Sequence, residues 1–178
     1  WDQQGVLSED ARNTLCFFGT FVQQKAVDFE TPIRGMIKLR KQNPDLKLVM
    51  CGQGPRLEEC RQLAAGDDGV LFPGQVDQPK IFALMERSFA GLLPYRPESH
   101  FEYSIPNKSV EYLAGGLPIV SSLTRGTLFG KLRSENVLCA YESGQLDDFA
   151  RAVEDTHADS ETRKESSRRK YSEDFDSA

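Results

Sequence analysis

The run Pro106-Asn107-Lys108-Ser109-Val110-Glu111 concentrates more binding chemistry than any other stretch of the chain. A proline suits the first position of a helix, because the amide it lacks would have no partner there. The amides of Asn107 and Lys108 then point out of the helix start, where aligned peptide dipoles favour an anion by about 0.3–1 kcal/mol. Lys108 adds a full positive charge, and Glu111 follows one turn on along the same face. This pattern suits an ammonium beside a diphosphate and a carboxylate beside a pair of ribose hydroxyls. Taken alone, it suits a plain surface ion pair between Lys108 and Glu111 better.

Two glycine turns carry weaker signals. Gly19 ends an apolar run and permits a tight turn or a close ligand approach, and Lys25 beyond it can meet a phosphate as a point charge. Cys51-Gly52-Gln53-Gly54-Pro55-Arg56 makes a compact turn, with Pro55 suited to the first position of the next helix. The third glycine of a dinucleotide fingerprint is missing there, which disfavours a Rossmann dehydrogenase.

Other candidates are sparse. His100 lies in the loop 96–104 beside the Pro106 segment, whereas His157 reads as a surface residue. Tyr95 and Phe101 flank that same loop. Asp174-Phe175-Asp176 has the form of an acidic metal-binding pair but sits in a terminal tail. Asp67-Asp68 and Asp147-Asp148 read as a loop and a helix start, so no convergent ligand set is expected and no metal or cofactor is expected with it. Cys16, Cys51 and Cys139 fall in short apolar runs as small hydrophobes, Cys60 completes the set, and their spacing matches no zinc or redox motif.

These residues need a scaffold, and the hydrophobic pattern supplies one. Nearly continuous apolar runs at 14–19, 46–51, 70–73, 89–94, 118–121 and 137–141 predict strands covered on both faces. Amphipathic stretches at 31–43, 56–65, 78–88, 106–115 and 144–155 predict helices between them. Phe17, Phe18, Phe72, Phe82 and Phe89 fall on apolar positions and are expected in the core. Alternating strands and helices imply right-handed crossovers and an α/β fold, a doubly wound parallel six-stranded Rossmann-like sheet. Ligands of such sheets bind outside the carboxyl ends of the strands, where the three turns gather. The division expected is a segment at 1–13, the sheet domain at 14–158 and a charged helix or tail at 159–178, whose basic cluster reads as a solvated face.

At 178 residues the chain is about one domain and hides roughly 70% of its unfolded surface. A net charge of −5 argues against non-specific nucleic-acid binding. No apolar run reaches the length of a membrane span and no signal peptide is evident, so a reducing, cytoplasmic setting is expected. The start at Trp1, with no initiator methionine, reads as a fragment of a longer protein.

The longer run from Pro106 to Val120, Pro106-Asn107-Lys108-Ser109-Val110-Glu111-Tyr112-Leu113-Ala114-Gly115-Gly116-Leu117-Pro118-Ile119-Val120, closely resembles the donor-site signature of retaining glycosyltransferases with the GT-B fold. It is most similar to the large group that includes bacterial polysaccharide and lipopolysaccharide transferases. Gly52-Gln53-Gly54-Pro55 resembles that family's glycine turn, and Phe72-Pro73-Gly74-Gln75-Val76 its strand into the base-binding loop. The resemblance runs from about Leu15 to Asp155. It implies the C-terminal, donor-binding half of a two-domain enzyme that transfers a sugar to a saccharide or lipid-linked acceptor. The donor implied is a nucleotide sugar, with a uridine nucleotide favoured over a guanosine one.

By resemblance, Glu111 binds the ribose, and Lys108 with the amide of Asn107 the diphosphate. Gly19, Thr20 and Lys25 approach the distal phosphate, and Gln75 and Val76 border the base. The positive charge of the lysine and helix end replaces a metal. Two positions depart from the pattern. Thr20 stands where many members carry arginine, and Tyr103 where many carry a glutamate that contacts the sugar. Glu98, His100, Glu102 and Ser104 are therefore the candidates for the sugar. Catalytic residues are expected partly in a preceding domain, and peripheral association with the cytoplasmic face of a membrane fits the lipid-linked acceptors of the group. A sugar-nucleotide epimerase of the same architecture and a ligand-free interaction module remain the alternatives.

Overall fold

The computed structural model describes residues 11–23, 26–97 and 99–175. Its strands are β1 Thr14–Phe18, β2 Lys47–Cys51, β3 Val70–Gly74, β4 Ser88–Leu93, β5 Ile119–Ser121 and β6 Leu138–Ala140. Its helices are α1 Glu30–Arg40, α2 Leu57–Leu63, α3 Gln78–Glu86, α4 Ser99–Glu102, α5 Asn107–Ala114, α6 Thr127–Leu132, α7 Leu146–Ala158 and α8 Ser160–Asp174. The strands form one parallel sheet in the order β3-β2-β1-β4-β5-β6. The chain reverses direction across the sheet between β1 and β4, and this is the expected doubly wound arrangement.

Alternation along the strands explains the two helical layers. Leu15 and Phe17 of β1 face a layer built from Ile33, Met36 and Leu39 of α1, Cys60 of α2, and Phe149 and Val153 of α7. Cys16 and Phe18 face the opposite layer, with Leu84 and Met85 of α3, Tyr112 and Leu113 of α5, and Leu128 and Leu132 of α6. Burial pushes the thiols of Cys16, Cys51 and Cys60 up to about 12, and all four cysteines are free. They are packing residues, as their apolar settings imply.

Tyr112 fixes α5 in place. Its ring meets Phe18 edge to face at 5.1 Å, and its buried hydroxyl donates to the Leu92 carbonyl at 3.0 Å. Asp77 caps α3 by accepting from the Lys80 amide at 3.1 Å. The two helices that flank the carboxyl end of β1 on this side thus have defined starts.

The charged C-terminal stretch differs from its expected solvated face. α8 lies against the sheet domain with Lys164 and Ser167 buried, and Tyr171 and Phe175 rest on the α3-α5-α6 layer. Lys131 of α6 and Lys170 both pair with Asp174, at 3.0 and 3.4 Å. His157 is likewise half-buried, meeting Phe89 edge to face at 5.0 Å and sharing a hydrogen bond with Asn13. Asp67 and Asp68 do form a loop, both pairing with Arg40, and Asp147 and Asp148 lie in the first turn of α7. No helix among the described residues is long and apolar enough to cross a membrane.

Candidate functional site

A cavity of about 1080 Å³ opens beyond the carboxyl ends of β1, β2 and β3, between α3 and α5. Its floor is backbone. The Gly19 amide donates to the Cys51 carbonyl at 2.9 Å, the Gly52 amide to Gly74 at 2.7 Å, and the Phe21 amide to Gln53 at 2.8 Å. Sheet pairing therefore continues past the strands into the loops. A side chain at position 52 could not fit, because its Cβ would lie 1.7 Å from the Gly19 carbonyl oxygen. The glycines of the Gly52-Gln53-Gly54 turn thus serve backbone against backbone, and Pro55 precedes α2 by a turn instead of beginning it.

Pro106 is the N-cap of α5 in extended conformation, one place earlier than expected, and Asn107 is the first helical residue. The Ser109 amide bonds back to the Pro106 carbonyl at 2.9 Å, which leaves the amides of Asn107 and Lys108 ahead of the first helical bonds. The Lys108 side chain crosses to β1. Its Cε and Nζ lie where a Gly19 Cβ would be only 2.6 Å away, and its ammonium sits 5.8 and 5.7 Å from the ring centres of Phe17 and Phe18. The surface ion pair with Glu111 is thus not the arrangement adopted. Gly19, at φ +155°, is the residue type that leaves room for the lysine. Burial pushes the Lys108 ammonium below the ordinary lysine range, and the Glu111 carboxylate acts weakly the other way. A half-buried cation without a carboxylate bound to it is suited to an incoming anion.

The cavity brings together Gly19, Thr20, Gln75, Val76, Lys108 and Glu111 from two loops and one helix. Asn107 is exposed at the first turn of α5 and does not border it. Neither do His100, Glu102 and Ser104. The His100 ring lies 4.0 Å from that of Phe101, which stacks on Tyr95 at 4.4 Å, while Glu102 pairs with Arg125. The Ser104 hydroxyl donates to the His100 carbonyl at 2.6 Å. Lys25 and Glu98 lie outside the described residues.

Several lining residues had no signal in the motifs. Gln53 and Gln78 are polar positions in a turn and a first helical turn, where such residues are common. Phe82 was expected in the core and is instead 57% exposed on the cavity wall. The buried face of α3 is carried by Leu84 and Met85, and Phe82 is rotated from Leu84 toward the opening. Among the described residues no three His, Cys, Asp or Glu side chains gather as a metal site would require.

Residues 12–159 match the profile of the family described as "Glycosyl transferases group 1". A search of curated protein sequences gives no match. Solved structures match in fold. A mutant of Staphylococcus aureus TarM, in complex with Fondaparinux, alpha-GlcNAc-glycerol and UDP, aligns at a TM-score of 0.74 and 11% identity over 94% of this chain and 33% of its own. The pneumococcal O-GlcNAc transferase GtfA, in complex with UDP and GlcNAc, aligns at 0.67 and 15% identity over 90% of this chain and 32% of its own. The C-terminal domain of the group 1 family protein LpcC from Francisella tularensis aligns at 0.70 and 16% identity, over 96% of this chain and 87% of that domain. The chain therefore spans about a third of the length of the first two proteins.

Proposed function

We propose, from the premise that this chain belongs to the group 1 glycosyl transferases and has the fold of one half of a GT-B enzyme, that it holds the nucleotide-sugar donor. The observation that supports this reading best is the Lys108 ammonium laid over Gly19, with Glu111 one turn along the same cavity wall. Lys108 and the first amides of α5 take the diphosphate, Glu111 the ribose hydroxyls, and Gln75 and Val76 border the base. Thr20 and Gly19 meet the distal phosphate, and Lys25, five residues on in the sequence, is proposed to join them. The sugar then faces the surface of α4 and the loop after it, where His100, Glu102 and Ser104 lie; Glu98 stays a candidate from the sequence alone.

The donor we favour is a UDP-sugar, in keeping with the UDP present in two of the similar structures. Transfer is to a saccharide or lipid-linked acceptor held by a second domain, with polysaccharide synthesis as the setting and contact with the cytoplasmic face of the membrane. Retention of configuration and independence from metal follow from the resemblance. The positive charge that a metal would supply to the leaving diphosphate comes here from Lys108 and the helix start. Calorimetric titration of the chain with UDP and GDP tests the reading, with UDP expected to bind more tightly. Absence of heat from either at millimolar concentration would overturn it.

The lowered Lys108 pKa adds a signature. A base whose pKa falls on folding binds its proton less tightly than in the unfolded chain. Its charged form therefore opposes folding below the lowered value, and that opposition fades as pH rises toward the ordinary lysine value. A diphosphate against the ammonium reverses the shift and draws a proton in. At alkaline pH below the ordinary lysine value, UDP binding should take up more protons in the wild type than in Lys108→Ala, seen as a stronger dependence of the measured heat on buffer ionisation enthalpy. Equal buffer dependence in the two would remove Lys108 from the diphosphate.

A further inference from the structure

Phe82 is the large apolar side chain that the described structure leaves in solvent on the cavity wall. Tyr103, also exposed, does not border the cavity. The position of Phe82 can be fixed from helix geometry. Met85 of α3 touches α5 so closely that a Cβ on Gly115 would stand 2.2 Å from the Met85 Cε. Both helices begin at the carboxyl edge of the sheet and run back along it in the same direction. Phe82 precedes Met85 by three residues and Glu111 precedes Gly115 by four, rises of about 4.5 and 6 Å toward the edge. Phe82 and Glu111 thus both border the cavity at a similar height above the Met85 contact, on opposite helices, with Lys108 and Gln78 about one turn higher on their own helices.

An aromatic ring at an exposed helix position adds nothing to the core, since Leu84 and Met85 already carry the buried face of α3. Its open face borders the same space as Val76 and Ile81, an apolar wall with polar ends at Gln75 and Gln78. A flat heterocycle with a polar rim matches that surface. We infer that Phe82 stacks on the nucleobase of the donor, while Gln75 and Gln78 lie at the base's hydrogen-bonding edge. This rests on the nucleotide reading of the cavity and deepens it. It gives the base a side-chain partner, on the helix opposite the carboxylate that holds the ribose.

Stacking of a base on an aromatic ring accounts for roughly 5- to 150-fold in affinity by alanine substitution. Phe82 stands at the mouth of the cavity, so a loss of about tenfold is expected there. The experiment titrates the 178-residue chain and its Phe82→Ala and Phe82→Tyr variants with UDP and with inorganic pyrophosphate. The alanine variant should lose about tenfold for UDP and nothing for pyrophosphate, and the tyrosine variant should keep wild-type affinity. An unchanged UDP affinity in Phe82→Ala, or an equal loss for both ligands, overturns the stacking role. A Phe82→Trp variant gives a second readout, because a stacked base quenches its fluorescence whereas pyrophosphate does not; no quenching by UDP overturns the inference. A wild-type chain that binds no UDP overturns the nucleotide reading itself. A wild-type chain that binds UDP only as well as its alanine variant overturns the stacking alone.

Discussion

Replacing Lys108 with alanine is expected to weaken UDP binding by about 10- to 150-fold, the range for losing a hydrogen bond to a charged partner. The loss should fall on the diphosphate. Uridine, which lacks it, should bind the variant nearly as it binds the wild type, whereas Glu111→Ala should weaken UDP and uridine alike. Arginine is not expected to rescue the site. The lysine lies tight against Gly19 and beside the rings of Phe17 and Phe18, and a planar guanidinium is broader than an ammonium. Calorimetric titration of the wild type and the three variants checks this. Equal UDP affinity in wild type and Lys108→Ala would sink the assignment of the diphosphate to this helix start.

Substituting Gly52 with alanine should cost about 3 kcal/mol of folding stability or more. The added carbon would stand 1.7 Å from the Gly19 carbonyl oxygen, and the atom in its way is backbone, which cannot rotate aside. The residue is also held at φ +142°, outside the range comfortable for a side chain. For a chain of this size such a loss lowers the melting temperature by roughly 6–12 °C. Because the same carbonyl belongs to the turn beneath Lys108, nucleotide affinity should fall together with stability. Thermal unfolding followed by circular dichroism checks the first part. A melting temperature within about 1 °C of wild type would mean that the two loops separate easily and that their pairing does not hold the floor of the cavity.

The strands were legible because their burial on both faces leaves little room for polar residues, as in Leu48, Val49, Met50 and Cys51 of β2. The short α6 was not. It buries only Leu128 and Leu132, and it starts after Gly126 with another glycine inside it, so its period is too brief to register. The docking of α8 was hidden for a different reason. Its buried positions are a lysine and a serine, and the aromatic contacts come only at its far end, with Tyr171 and Phe175.

The site divides along the same line between local and distant information. Lys108 and Glu111 were readable together because a helix places residues three apart on one face. Whether they paired with each other or faced a ligand depended on Gly19, 89 positions away, and only the parallel sheet brings that glycine beneath the lysine. Phe82 misled for a related reason. Hydrophobicity marks a residue as suited to burial but does not say whether the protein or a ligand covers it.

The seating of the Lys108 side chain separates its ordering from the arrival of a ligand. A free lysine loses about 1.5–2 kcal/mol of rotamer freedom when fixed in one position. Here the methylene stem is already seated against Gly19 and the ammonium near two phenylalanine rings. That disorder is lost once, during folding, and not again each time an anion arrives. Arrival and departure of an anion can therefore recur without reordering this arm, and its affinity reflects the charge and the helix start more than the immobilisation of a flexible chain.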